Sequence, residues 1–166
     1  MLRFLKLSVF ALLLSTTSSL FAADPEYTTI QFEIDISTSA QEVWAKVGGY
    51  CDIAEWFETD CVITSGDGGI GTVRELVGGR AIQILVALSD LSYGYTLPST
   101  EGEFYNLYHG FLEVKPVTET SSRVFYTLLY DTSNMADQAT IEADITRRRE
   151  MFEGALQNIK MIAESP

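Results

Sequence analysis

The sequence predicts an α+β fold, an antiparallel sheet of about seven strands packed on one long C-terminal helix, with two short helices after the first strand. Three observations predict it. Tyr27 to Ile36 alternates apolar and polar residues, the period of a half-buried strand. Six further β-rich segments follow with only Gly, Asp, Ser and Pro clusters between them, a meander and not a series of βαβ units. The chain then closes on a long segment, from about Met135 to Ile162, whose apolar residues recur at helical spacing.

In the first strand Ile30, Phe32, Ile34 and Ile36 alternate with Thr29, Gln31, Glu33 and Asp35. Ser39 with Glu42 three residues on forms a capping box, and Val43, Trp44 and Val47 continue at helical spacing until Gly48-Gly49 ends the run. A second short helix is expected over about Cys51 to Phe57. Strands are then expected over Asp60–Thr64, Gly71–Val77, Arg80–Leu88, Tyr93–Leu97, Phe104–Val117 and Arg123–Asp131. In the final helix Ile141, Ile145, Phe152, Leu156 and Ile159 form one stripe. Arg147, Arg148, Glu150 and Glu153 fall mostly off it, and the Arg147-Arg148-Arg149 run reads as a solvated face balanced by nearby acids.

The first 23 residues read separately from this domain. Arg3 and Lys6 precede an apolar run from Leu7 to Leu14, and small residues lead to Leu20-Phe21-Ala22-Ala23, the order of a secretory signal peptide. The run is far shorter than the roughly 20 residues that span a bilayer, so no stable membrane anchor is expected after cleavage. The expectation is a signal peptide over 1–23, a single domain over 24–166, and a periplasmic or secreted protein. Cleavage leaves 9 basic against 23 acidic residues, a net charge of −14 (9 − 23) in place of −12. Such a chain repels phosphate backbones, which excludes nucleic acid as an expected partner.

Cys51 and Cys61 are the only cysteines. In an oxidising compartment they are expected to form a disulfide, the alternative being two buried thiols. One histidine, His109, and no metal-type cysteine spacing give no metal site, and no cofactor is expected.

Val43-Trp44, Glu55-Trp56-Phe57 and the run Gly66-Asp67-Gly68-Gly69-Ile70-Gly71-Thr72-Val73-Arg74-Glu75 resemble the opening of the polyketide cyclase/dehydrase-like, START-like and Bet v 1-like superfamily. The resemblance implies a helix-grip fold, in which a curved sheet wraps around the C-terminal helix and leaves an apolar cavity. It implies a small hydrophobic or lipid-like ligand in that cavity. The chain departs from the pattern in carrying Gln83-Ile84 where relatives often show Glu-Arg on the fourth strand, and Glu101-Gly102-Glu103 where a Pro-containing turn is usual.

Gly66, Gly68 and Gly71 spell GxGxxG, but a β-rich run follows where a dinucleotide site needs a helix. A turn requiring positive φ explains them. Arg74 and Glu75 are neighbours on a strand, so only one faces the cavity. The resemblance favours Arg74, which could hold a ligand carboxylate or enolate. Parity does not settle the choice, because Val73, Glu75 and Val77 form the more apolar alternate set. A buried Glu75 would be a candidate acid or base.

The mature chain is rich in Tyr, a ring with one hydroxyl handle suited to a mostly apolar ligand. Tyr108, Gly110, Leu112 and Val114 share one face, as do Val124, Tyr126, Leu128 and Tyr130. Candidate ligand-binding residues are therefore Trp56 at the cavity mouth, Arg74, Glu75, Tyr95, Tyr108 and Tyr126. His109 faces away from Tyr108 by the same parity. Two further readings stay open. One is a cyclase or dehydratase-type enzyme moving protons with Tyr, Glu or His, which needs an inward ionisable residue beside a Tyr and loses its chemistry if Glu75 and His109 both point to solvent and no other acid or base lines the cavity. The other is a non-catalytic envelope interaction module, which an exposed apolar patch away from the mouth would favour.

Overall fold

The computed structural model describes residues 24–98 and 107–166. The expected signal peptide, the Glu101-Gly102-Glu103 turn and the first residues of the expected Phe104–Val117 strand lie outside the described residues. The elements run β1 (Tyr27–Ile36), α1 (Ala40–Val47), α2 (Ile53–Trp56), β2 (Cys61–Ser65), β3 (Val73–Leu76), β4 (Ala81–Ser89), β5 (Ser92–Thr96), β6 (Tyr108–Thr118), β7 (Ser121–Asp131) and α3 (Gln138–Glu164). All seven strands form one antiparallel sheet in the order β1-β7-β6-β5-β4-β3-β2. It is the predicted curved sheet with its long C-terminal helix, the helix-grip fold.

Local chemistry sets the elements. Ser39 Oγ accepts the Glu42 N–H while the Glu42 carboxylate accepts the Ser39 N–H, so the predicted capping box starts α1. Gly66, Gly68 and Gly71 all have positive φ, near 88°, 101° and 93°, and make the β2–β3 turn. Asp137 opens α3 by accepting the Thr140 N–H at 2.8 Å. At the other end, Lys46 Nζ on α1 donates to the Ala163 and Ser165 carbonyls, a cation at a helix C-terminus. Cys51 and Cys61 form the expected disulfide, with Cα atoms 5.6 Å apart, tying the start of the α2 region to β2.

The 27 residues of α3 span about 40 Å. The helix lies against β1 and against α1 and α2. Phe152 anchors this contact, its ring centroid 5.6 Å from Phe32, 4.8 Å from Tyr126 and 5.1 Å from Phe57. Each such burial contributes about 1.5–3 kcal/mol. On the half of the sheet formed by β3, β4 and β5 the curvature carries the strands away from α3, and a cavity remains between them.

Gly110 shapes that space. It lies opposite Tyr95 across the β5–β6 pairing, and an added Cβ would fall 2.3 Å from Tyr95 Cζ. Only glycine lets the Tyr95 ring lie flat across β6 here.

One prediction for α3 is corrected. Arg148 does not belong to a solvated face, being only 6% exposed. It stands four residues before Phe152 and seven after Ile141, on the buried stripe itself.

Candidate functional site

The cavity between sheet and helix has a volume of about 210 Å³. Its walls are mostly apolar, with Leu76 from β3, Ile53 and Phe57 from the α2 region, and Met151 and Phe152 from α3. The polar groups on its lining are few: Gln83, the hydroxyls of Tyr95, Tyr108 and Tyr126, Thr59, and Arg148. Val77 and Met151, each more than a third exposed, mark the side open to solvent. A wider groove of about 370 Å³ lies on the surface between α2 and α3, and Phe57 and Met151 are common to both spaces.

Register brings the three tyrosines together. Tyr95 on β5 and Tyr126 on β7 join their hydroxyls at 2.7 Å, and the Tyr108 ring lies 6.4 Å from that of Tyr95. Burial pushes all three hydroxyls above their ordinary range, so at neutral pH they are protonated hydrogen-bonding groups. Arg148 donates from Nε to Asp144 at 2.7 Å and from Nη1 to the Tyr108 hydroxyl at 3.3 Å. Its guanidinium also lies over the Tyr130 ring, 4.6 Å from the centroid. Burial pulls Arg148 down to about 10, against the opposing pull of Tyr95, and it stays a cation at neutral pH.

Arg74 is the inward member of its pair with Glu75. It is fully buried, whereas Glu75 alternates onto the opposite face beside Val62 and Ile82. Arg74 stands one layer behind the cavity wall. Its Nε and Nη2 donate to Gln83 Oε1 at 2.9 and 2.6 Å, its Nη1 donates to the Tyr50 carbonyl, and its guanidinium lies 4.1 Å from the Tyr50 ring centroid. Among the described residues it has no carboxylate partner.

Trp56 is fully buried and lines the surface groove, not the cavity, with its ring 6.1 Å from that of Tyr126. His109 lies on the convex face beside Phe111, as parity predicts. The structure thus gathers Tyr95, Tyr108 and Tyr126 on one cavity, sets Arg74 behind it and Trp56 beside it, and turns Glu75 away. Sequence reasoning missed Gln83 and Arg148 as lining residues. The cross-strand pairing of Gln83 with Arg74 and the helical spacing of Arg148 are the signals that carry them.

Among the described residues no cluster of three metal-ligating side chains occurs, and no helix is long and apolar enough to cross a membrane.

Solved structures share this architecture. XoxI from Bacillus cereus is 20% identical, with a TM-score of 0.66 over 80% of this chain and 93% of that one. A protein from Nitrosospira multiformis is 21% identical, with a TM-score of 0.67 over 83% and 97%. A norcoclaurine synthase point mutant from Thalictrum flavum, solved in complex with a transition-state analogue, is 13% identical, with a TM-score of 0.61 over 86% and 97%. At these identities the likeness is one of fold. No curated protein sequence matches the chain. The family described as polyketide cyclase/dehydrase and lipid transport matches residues 27–164, most of the chain, and the protein belongs to that family.

Proposed function

We propose that the protein is exported and binds a small hydrophobic or lipid-like ligand between its sheet and its C-terminal helix. The observation that carries this reading is the apolar cavity of about 210 Å³ with a few polar groups placed on its wall. The volume is below the ~300–1,000 Å³ of ordinary ligand sites, so the ligand is small. One aromatic ring removes about 150–250 Å² from water, which contributes about 4–6 kcal/mol before ordering costs. Burial alone then supports dissociation constants no tighter than roughly tens of micromolar to millimolar, and the polar groups must supply selectivity.

Export rests on the charged, apolar, small-residue order of residues 1–23 and on a disulfide suited to an oxidising compartment. N-terminal sequencing of the native protein tests it, with a start near Asp24 as the expected result. Native mass spectrometry of that protein against a denatured, solvent-extracted control tests the binding. A co-purifying small molecule of defined mass supports the reading. A bare chain that also fails to take up Nile red overturns it.

Glu75 and His109 both face away from the cavity, which takes two candidate proton carriers from the enzyme reading. The interaction-module reading is favoured by a separate observation, the exposure of Val62, Ile82 and Phe111 on the convex face. Loss of self-association or partner capture on replacing Phe111 by Ser would support it.

A further inference from the structure

The cavity of an acidic protein stands between two cations, and among the described residues no carboxylate lines it. Arg148 is on the wall. Its partner Asp144 is shared, since it also takes Arg147 and the Tyr130 hydroxyl. Arg74 is the second cation, fully buried and held by neutral groups only.

Gln83 connects Arg74 to the cavity. Two N–H groups of Arg74 converge on one atom of the Gln83 amide, and only an oxygen can accept both. The amide is therefore oriented with Oε1 toward Arg74, and its NH2 group is the end left for the cavity that Gln83 lines. Among the described residues, Nε2 makes no hydrogen bond. The guanidinium polarises the amide, which strengthens Nε2 as a donor. The Tyr95 hydroxyl senses both cations: Arg74 and Arg148 each oppose the upward push of burial on it. A neutral apolar ligand has no use for this charge, and a cationic one is repelled by it.

We infer that the cavity selects a small apolar molecule bearing a carboxylate, received by the Gln83 Nε2–H donors in the positive field of Arg74. The inference rests on the binding reading above and specifies its ligand class. It assigns Gln83 the direct contact and makes Arg74 a positioning residue that acts through it. A merely structural Arg74–Gln83 pair would affect stability and leave charge selectivity untouched.

The test uses mature chain 24–166 and three probes of one shape at pH 7: 3-phenylpropanoate, 3-phenylpropanamide and 3-phenylpropylammonium, each titrated calorimetrically. The carboxylate is expected to bind at least about tenfold tighter than the amide, with the ammonium weakest, because a hydrogen bond to a charged group exceeds one to a neutral group by about that factor. Gln83→Glu keeps an acceptor for Arg74 while replacing the donor by a negative charge, and is expected to invert the order of carboxylate and amide. Gln83→Met provides a second variant without the added charge, in which the preference is expected to shrink to about threefold or less. Equal affinity for carboxylate and amide in the native chain overturns the inference and leaves the binding reading standing. So does an unchanged preference in both folded variants. If none of the three probes binds and Nile red is also excluded, the binding reading itself falls.

Discussion

The hydroxyl pair of Tyr95 and Tyr126 offers a quantitative test of how the cavity wall is built. Both side chains are almost fully buried and their oxygens are 2.7 Å apart. Tyr95→Phe strands the Tyr126 hydroxyl, whose one partner among the described residues is Tyr95, and a stranded buried hydroxyl costs about 1–3 kcal/mol. Tyr126→Phe is milder, about 1 kcal/mol, because Tyr108 also lies within hydrogen-bonding reach of Tyr95. The double variant removes both hydroxyls together and leaves no orphan in the pair. Its cost is expected near 1 kcal/mol, short of the sum of the single changes, for a coupling of about 1–3 kcal/mol. Urea denaturation followed by circular dichroism reads all three values, with unchanged m-values because the exposed surface is the same. Additivity within about 0.5 kcal/mol would refute the argument that the two hydroxyls satisfy each other.

Gly110→Ala places a methyl 2.3 Å from Tyr95 Cζ and should cost about 1–3 kcal/mol while reducing Nile red uptake; unaltered stability would show that Tyr95 does not need that space. Val77 is β-branched at a φ of 56°, a left-handed conformation costing about 1–2 kcal/mol, so Val77→Asn should raise the urea midpoint by an amount equivalent to about 1 kcal/mol. An unchanged or lower midpoint would place the strain elsewhere. Arg123 holds Asp35, the Gly78 N–H holds Asp60 and Thr140 holds Asp137 below 3.8, while Ser39 holds Glu42 and the Ser37 N–H holds Glu164 below 4.5. Folded values below unfolded ones stabilise at pH above the unfolded values and lose that contribution as pH falls through the folded ones. The thermal midpoint should therefore hold from pH 7 to about 5 and decline below about pH 4, and a midpoint rising on acidification would contradict this.

Features legible in the sequence were those in which burial writes its own period. The alternation of β1, the Ser39 box, the positive-φ turn at Gly66, Gly68 and Gly71 and the α3 stripe all matched what the chain does. Arg148 was misread because residue type outweighed position: an arginine triplet reads as solvated, although the central member falls on the apolar stripe. The choice between Arg74 and Glu75 was open because the convex face is itself partly apolar, with Val62 and Ile82 beside Glu75, so hydrophobicity did not separate inside from outside. Gln83 was legible as a departure from the family pattern, but its pairing with Arg74 emerged only through register, since its partner lies nine residues away across a hairpin. The cavity's size depends on sheet curvature, which no local pattern encodes.

The departure at Gln83 ties fold and function together. A Glu on this strand, as the family resemblance implies, would neutralise Arg74 and close the electrostatics of the wall. With Gln83, the guanidinium keeps two hydrogen bonds to that side chain but gains no counter-charge, and burying an unpaired charge opposes folding. Stacking on Tyr50 and the acceptors Gln83 Oε1 and Tyr50 O offset part of that cost. The remainder is available to a ligand, because an anion entering the cavity supplies the missing counter-charge in a low-dielectric setting. Such a ligand should stabilise the fold by more than its apolar area alone provides. A carboxylate ligand and a glutamine facing Arg74 are thus two sides of one arrangement, in which the neutralising charge belongs to the ligand and not to the chain.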